Sequence, residues 1–96
     1  MLTHIVCWKY KPETTEEQKN EHINMLSALK AVIPDLLSLS VGRDILHLDR
    51  SFDTALVCMF ADTEALERYS THPEHQKVIG FGREIAQQAV SVDFTE

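Results

Sequence analysis

Glycine and proline are scarce, with three of each in 96 residues. Gly42, Gly80 and Gly82 build no G-x-G-x-x-G, no P-loop and no G-x-S-x-G, so neither a nucleotide cradle nor a nucleophile elbow is present. Cysteine is limited to Cys7 and Cys58. There is no C-x-x-C, and both residues lie in apolar runs, so they read as buried reduced thiols of a cytoplasmic protein. Positive charge is also short: nine Lys and Arg stand against fifteen Asp and Glu, for a net charge of −6. The basic residues are scattered and form no stripe, which argues against nucleic acid as a partner. No apolar run approaches the ~20 residues that span a bilayer. Met1-Leu2-Thr3-His4 has neither the charged nor the long apolar region of a signal peptide, so no membrane partner is expected. His and carboxylate residues at metal-ligand spacing are missing too, and nothing indicates a metal or an organic cofactor.

What is present describes an ordinary globular chain, 44% hydrophobic and 25% charged. No shift in composition marks a linker, so residues 1–96 are expected to form a single domain. Leu2 to Tyr10 alternates, with Leu2, His4, Val6, Trp8 and Tyr10 on one face and Thr3, Ile5, Cys7 and Lys9 on the other, as in a strand. Pro12 and Glu13 end it. A capping box, Thr14 with Glu17 or Thr15 with Gln18, then opens a helix running to about Val32. Its apolar stripe carries His22, Leu26, Leu29 and Ile33.

A second strand is expected over Leu36 to Val41, with a bulge or kink at Gly42. A polar loop over Asp44 to Asp53 leads to a third strand, Thr54 to Phe60. Asp62 caps a short helix with Ala65, Leu66 and Tyr69, which breaks before Pro73. Pro73 opens a further helix reaching Ala89, and Ala89 to Phe94 forms the last strand.

The order β-α-β-β-α-β predicts an α+β, ferredoxin-like domain with a four-stranded antiparallel sheet and its helices on one face. A sheet with one wet face should alternate apolar and polar residues. Ala55 to Phe60 has no polar break, and Ile5 and Cys7 oppose Val6 and Trp8. Both faces therefore require cover. The helices supply one, and a second copy of the chain is the simplest cover for the other, giving a homodimer.

Five segments in one register resemble the stress-responsive A/B barrel domain family. They are Thr3 to Pro12, the Ile33-Pro34 step, Ser38 to Arg43, Asp49 to Asp53, and Tyr69-Ser70-Thr71-His72-Pro73-Glu74-His75. The resemblance implies a ferredoxin-like protomer that pairs into a dimeric α/β barrel. It also implies a pocket between sheet and helices. A plant polyketide cyclase of this family closes a linear chain by aldol condensation without a cofactor. By that similarity His4, Tyr69 and His75 become catalytic candidates, and Val6, Trp8, Leu26, Thr54 and Leu56 become pocket candidates. Thr54 stands where the cyclase has a further pocket histidine, and Leu26 about where it has a tyrosine.

On the residues alone, His75 falls in the first turn of its helix, where the macrodipole disfavours imidazolium and favours a neutral base, while Glu74 beside it pushes the other way and leaves the net direction open. The plainer expectation is that His72 caps this helix and His75 hydrogen-bonds to backbone. His22 reads as a packed residue and His47 as solvated. The favoured role is binding a small apolar or aromatic molecule. The alternative is a cofactor-independent enzyme, performing aldol or lyase chemistry or monooxygenation, with His75 as base and Tyr69 beside it.

Overall fold

The alternation read at the N-terminus is a strand, β1 (Leu2–Tyr10), and it forms the second-from-edge position of one sheet. The computed structural model describes residues 1–96. After β1 come α1 (Glu16–Val32), β2 (Ser38–Arg43), β3 (Thr54–Phe60), α2 (Thr63–Thr71), α3 (Pro73–Ile85) and β4 (Ala86–Thr95). The sheet order is β2-β3-β1-β4, with every neighbouring pair antiparallel. This is the ferredoxin-like βαββαβ arrangement, with the second helical stretch split in two.

Local chemistry sets the helix ends. Thr15 and Gln18 form the capping box of α1, so of the two candidate boxes the later one is used. The Asp62 carboxylate accepts from the Ala65 amide at the start of α2. His72 closes α2 and opens α3 together: its Nδ1 accepts from the Glu74 amide at 3.1 Å, and Pro73 occupies the first turn. On the inner face of the sheet, Leu56, Cys58 and Phe60 meet Leu26, Leu29, Ile33 and Tyr69 in one buried cluster.

Two boundaries differ from the expectation. The second strand starts at Ser38, because Leu36 turns inward to become part of the core and its amide bonds to the Ile33 carbonyl. Leu37 is left largely exposed, and Gly42 pairs with Ala55 in an unbroken ladder without a bulge. The other difference matters more. The last helix stops at Ile85, four residues before Ala89, and the chain enters β4 at once. Ala and Gln favour helix, but ladder pairing with β1 and the capture of the Ile85 carbonyl override that preference. This carbonyl accepts from the Lys11 amide at 2.9 Å and from the Thr14 hydroxyl at 2.7 Å. The irregularity of the sheet lies here: Lys9 pairs with Gln88 and Tyr10 with Ala86, so Gln87 is the extra residue on β4.

The outer sheet face has no cover within the chain. Register places Ile5 between Val57 and Val92, and Cys7 between Ala55 and Val90. Val57, Val90, Val92 and Phe94 are exposed, and only 17 of 96 residues are buried. A core this small leaves much apolar surface to be covered by association.

The cysteines lie on opposite faces, Cys7 outward beside Ala55 and Cys58 inward beside His4, so they cannot bridge without strand rearrangement. Burial pushes the Cys58 thiol up to about 12. A thiol-specific reagent at pH 8 is therefore expected to leave Cys58 unlabelled until the protein unfolds. Cys7, half-buried on the outer face, is expected to label faster as the protein is diluted. Prompt native-state labelling of Cys58 would contradict this burial.

Candidate functional site

Position i, i+3, i+4, i+7 and i+8 of a helix share one face. In α3 these are His75, Val78, Ile79, Gly82 and Arg83, and this face forms one wall of a cleft of about 480 Å³. The opposite wall is the inner face of β1, with His4, Val6 and Trp8, and the floor includes Leu26 of α1. The start of β4, Ala86 to Ser91, completes it. The cleft exists because α3 ends early: had the helix continued to Ala89, these residues would form a helix turn in place of a strand wall.

His75 sits at one end of the cleft. Its Nδ1 donates to the Ser70 carbonyl at 3.2 Å, which leaves Nε2 as the free lone pair. Burial is the main cause of a lowered pKa, the Ser70 carbonyl opposes it, and His4 and His72 add to it. The ring is therefore neutral at neutral pH. Both plain expectations for this segment hold, since His72 caps the helix and His75 bonds to backbone, yet His75 also faces the cleft.

Tyr69 stacks behind His75, with ring centroids 4.0 Å apart, and approaches His4 edge-on at 6.1 Å. It is buried and does not line the cleft. Burial, and then the neighbouring Cys58 thiol, push its phenol well above the usual range. Tyr69 is thus placed to hold His75 and His4 in position, and it stays un-ionised.

His4 gains a partner that was not anticipated. Its Nδ1 hydrogen-bonds to Asp93 Oδ1, the residue opposite it on β4. The carboxylate fixes the ring, while the rest of the imidazole faces the cleft. Asp93 carried one readable signal, a lone acid between Val92 and Phe94 on the inward phase of an apolar strand. The pairing itself joins residues 89 apart and follows from register alone.

Of the other pocket candidates, Val6, Trp8 and Leu26 line the cleft, whereas Leu56 lies deep in the core. Thr54 is buried at the far end of β3 and borders a separate shallow depression with Cys7, Arg43 and Phe52. Its hydroxyl has no well-formed hydrogen bond, although it lies near enough to the Tyr10 phenol to temper the upward push of burial there. His22 is fully buried. Tyr10 Oη bonds to its Nδ1 at 2.8 Å, the Trp8 ring meets it edge-on at 4.8 Å, and Nε2 has no partner. Gly82 gives close packing at this crossing. A Cβ there would stand 3.3 Å from His22 Nε2 and 3.6 Å from Trp8 Nε1.

A single antiparallel sheet, helices on one face, an apolar outer face and a histidine-bearing cleft under the last helix together define a ferredoxin-like α+β protein of the barrel-forming kind. The chain belongs to the stress-responsive A/B barrel domain family, whose profile matches residues 2–96. Olivetolic acid cyclase of Cannabis sativa is 28% identical over 83 residues, covering 84% of this chain and 79% of the cyclase. A dimeric ferredoxin-like protein of unknown function from Thermobifida fusca superposes with a TM-score of 0.90 at 25% identity, covering 99% of this chain and 90% of that one. The hydroxynitrile lyase of Passiflora edulis shares the fold, with a TM-score of 0.87 at 18% identity over 97% of this chain and 90% of the lyase. No helix is long and apolar enough to cross a membrane.

Proposed function

We propose that the protein is a homodimer, paired through the outer sheet face, that binds a small, largely apolar carbonyl compound in the cleft under α3. The observation that carries this reading is the cleft itself: about 480 Å³, apolar along its middle, with His4 and His75 converging on one end. Dimerisation is supported by the exposed valines of β3 and β4 and by the dimeric Thermobifida relative. Trp8 is the only tryptophan and lies on the cleft wall, so its emission reports occupancy. Titration with octan-1-ol is expected to shift Trp8 emission saturably in the parent, and Ala89→Phe, which adds a ring to the exposed strand wall of the cleft, is expected to abolish the shift. An unchanged spectrum in the parent would refute the binding reading.

One arrangement favours a second reading, proton transfer on the bound ligand. His75 is neutral with Nε2 free, and Asp93 orients His4 across from it. A base and an oriented imidazole on one apolar end suit abstraction of a proton next to a carbonyl and its return elsewhere. That is the elementary step of an aldol closure, the chemistry that the family resemblance implies. Exchange of the α-protons of nonane-2,4-dione in D2O, followed by NMR, tests the step without knowledge of the natural substrate. His75→Ala is expected to lower the enzyme-dependent exchange by about 10²–10⁴. Tyr69→Phe, which keeps the stack, and Asp93→Asn are expected to lower it less. Loss of melting temperature with no loss of exchange would assign His75 a structural role only.

A further inference from the structure

Fifteen acidic residues outnumber nine basic ones in this chain, yet no Asp or Glu lines the cleft and one arginine does. That arginine, Arg83, lies on the same face of α3 as His75, eight residues further on. At 1.5 Å per residue the two positions are about 12 Å apart along the helix. Arg83 makes no salt bridge and no side-chain hydrogen bond, in contrast to Arg43 with Glu16 and Arg68 with Asp35. Its helical neighbours three and four residues earlier are Gly80 and Ile79, neither of which is a carboxylate, and α3 ends two residues after it. Gln87, the extra residue of the β4 irregularity, lines the cleft beside it and adds an amide donor. Asp93, opposite His4 on β4, is already engaged by that histidine.

We infer that the ligand carries a carboxylate, held by Arg83 and Gln87 at the end of the cleft remote from His75. The inference rests on the binding reading above and adds the ligand's charge and polarity. A guanidinium without a protein acceptor and an amide donor, both lining one apolar cleft, match a carboxylate in charge and in hydrogen-bonding type. The apolar side chains between Arg83 and His75 would then cover an aliphatic or aromatic body. The functional end of the ligand would be directed toward His75 and His4. Selection would work by charge at one end and by chemistry at the other.

Trp8 emission again provides the readout, with sodium octanoate and octan-1-ol as probes of equal chain length at pH 7.5 and low salt. In the parent, octanoate is expected to bind about fivefold more tightly than the alcohol, a modest ratio because one side of the guanidinium stays in water. Arg83→Gln is expected to bring octanoate down to the affinity of the alcohol, and Arg83→Glu to make octanoate the weaker of the two. Raised salt is expected to weaken octanoate binding in the parent and leave the alcohol unaffected. Equal binding of the two probes by the parent, or an octanoate preference that survives Arg83→Gln, would overturn the carboxylate site while leaving the cleft as a neutral pocket. Failure of both probes to move Trp8 emission would overturn the binding reading and this inference together.

Discussion

Replacing Val57 with Asp is expected to leave a monomer of markedly lower melting temperature. Val57 is at the centre of the outer sheet face, opposite Ile5 on β1, which in turn faces Val92 on β4. In the proposed dimer this row meets the same row of the second copy. Association would remove the row from water, at roughly 25 cal/mol for each Å² of apolar surface. A carboxylate there loses its hydration and gains no partner, at a cost on the order of 3 kcal/mol per copy, so two copies together raise the dissociation constant roughly 10⁴-fold. Sedimentation at micromolar concentration measures the change directly. Leu46→Asp, in an exposed loop, adds the same charge and is expected to leave the assembly intact. A parent that sediments as a monomer, or a Val57→Asp variant that remains dimeric, would remove the outer face as the interface.

Acidification from pH 7 to pH 4 is expected to cost about 3 kcal/mol of folding stability through His22. Burial alone lowers its pKa from 6.5 to about 4 in the folded protein. The unfolded chain therefore takes up a proton between these values that the folded chain refuses. Stability linked to His22 is complete above pH 6.5 and is lost as the pH falls toward 4. At about 1.4 kcal/mol per pH unit, that interval corresponds to the stated loss. His75 is displaced in the same direction by burial, and so adds to the loss as the pH falls below the ordinary imidazole value. Urea unfolding at pH 7.5, 5.5 and 4.5 measures the effect. His22→Phe keeps a ring against Trp8 but has nothing to protonate. It is expected to flatten the pH dependence, at the cost of leaving the Tyr10 hydroxyl unpaired. A parent curve as flat as the variant's would show that His22 is hydrated in the fold.

The elements that could be read from sequence were those fixed by neighbours in the chain. Alternation over Leu2–Tyr10 identified β1, because side-chain direction in a strand repeats every second residue, and a short apolar run over Ala55–Phe60 identified β3. The Thr15–Gln18 box, Asp62 and the His72-Pro73 step marked three helix starts, because capping is satisfied within a few residues. An unbroken apolar run on β3 was enough to show that the outer face needed cover. The family resemblance rested on the same short segments. It grouped His4, Tyr69 and His75, and the structure puts their three rings within one cluster.

What the sequence could not determine depended on contacts between distant segments. The early end of α3 runs against the helix preference of Ala86, Gln87 and Gln88, and is imposed by the β1 ladder and by Lys11 and Thr14 at the Ile85 carbonyl. From that one boundary follow the cleft wall, the position of Gln87 and the face shared by His75 and Arg83. Asp93 meets His4 only because antiparallel register sets residues 4 and 93 side by side. Chain-local physics therefore determined which elements form and which faces are apolar. The tertiary structure decided where α3 stops, which side chains reach the cleft and which remain behind it, since each of these is a competition between a weak local preference and a hydrogen-bond ladder formed by residues far apart in sequence.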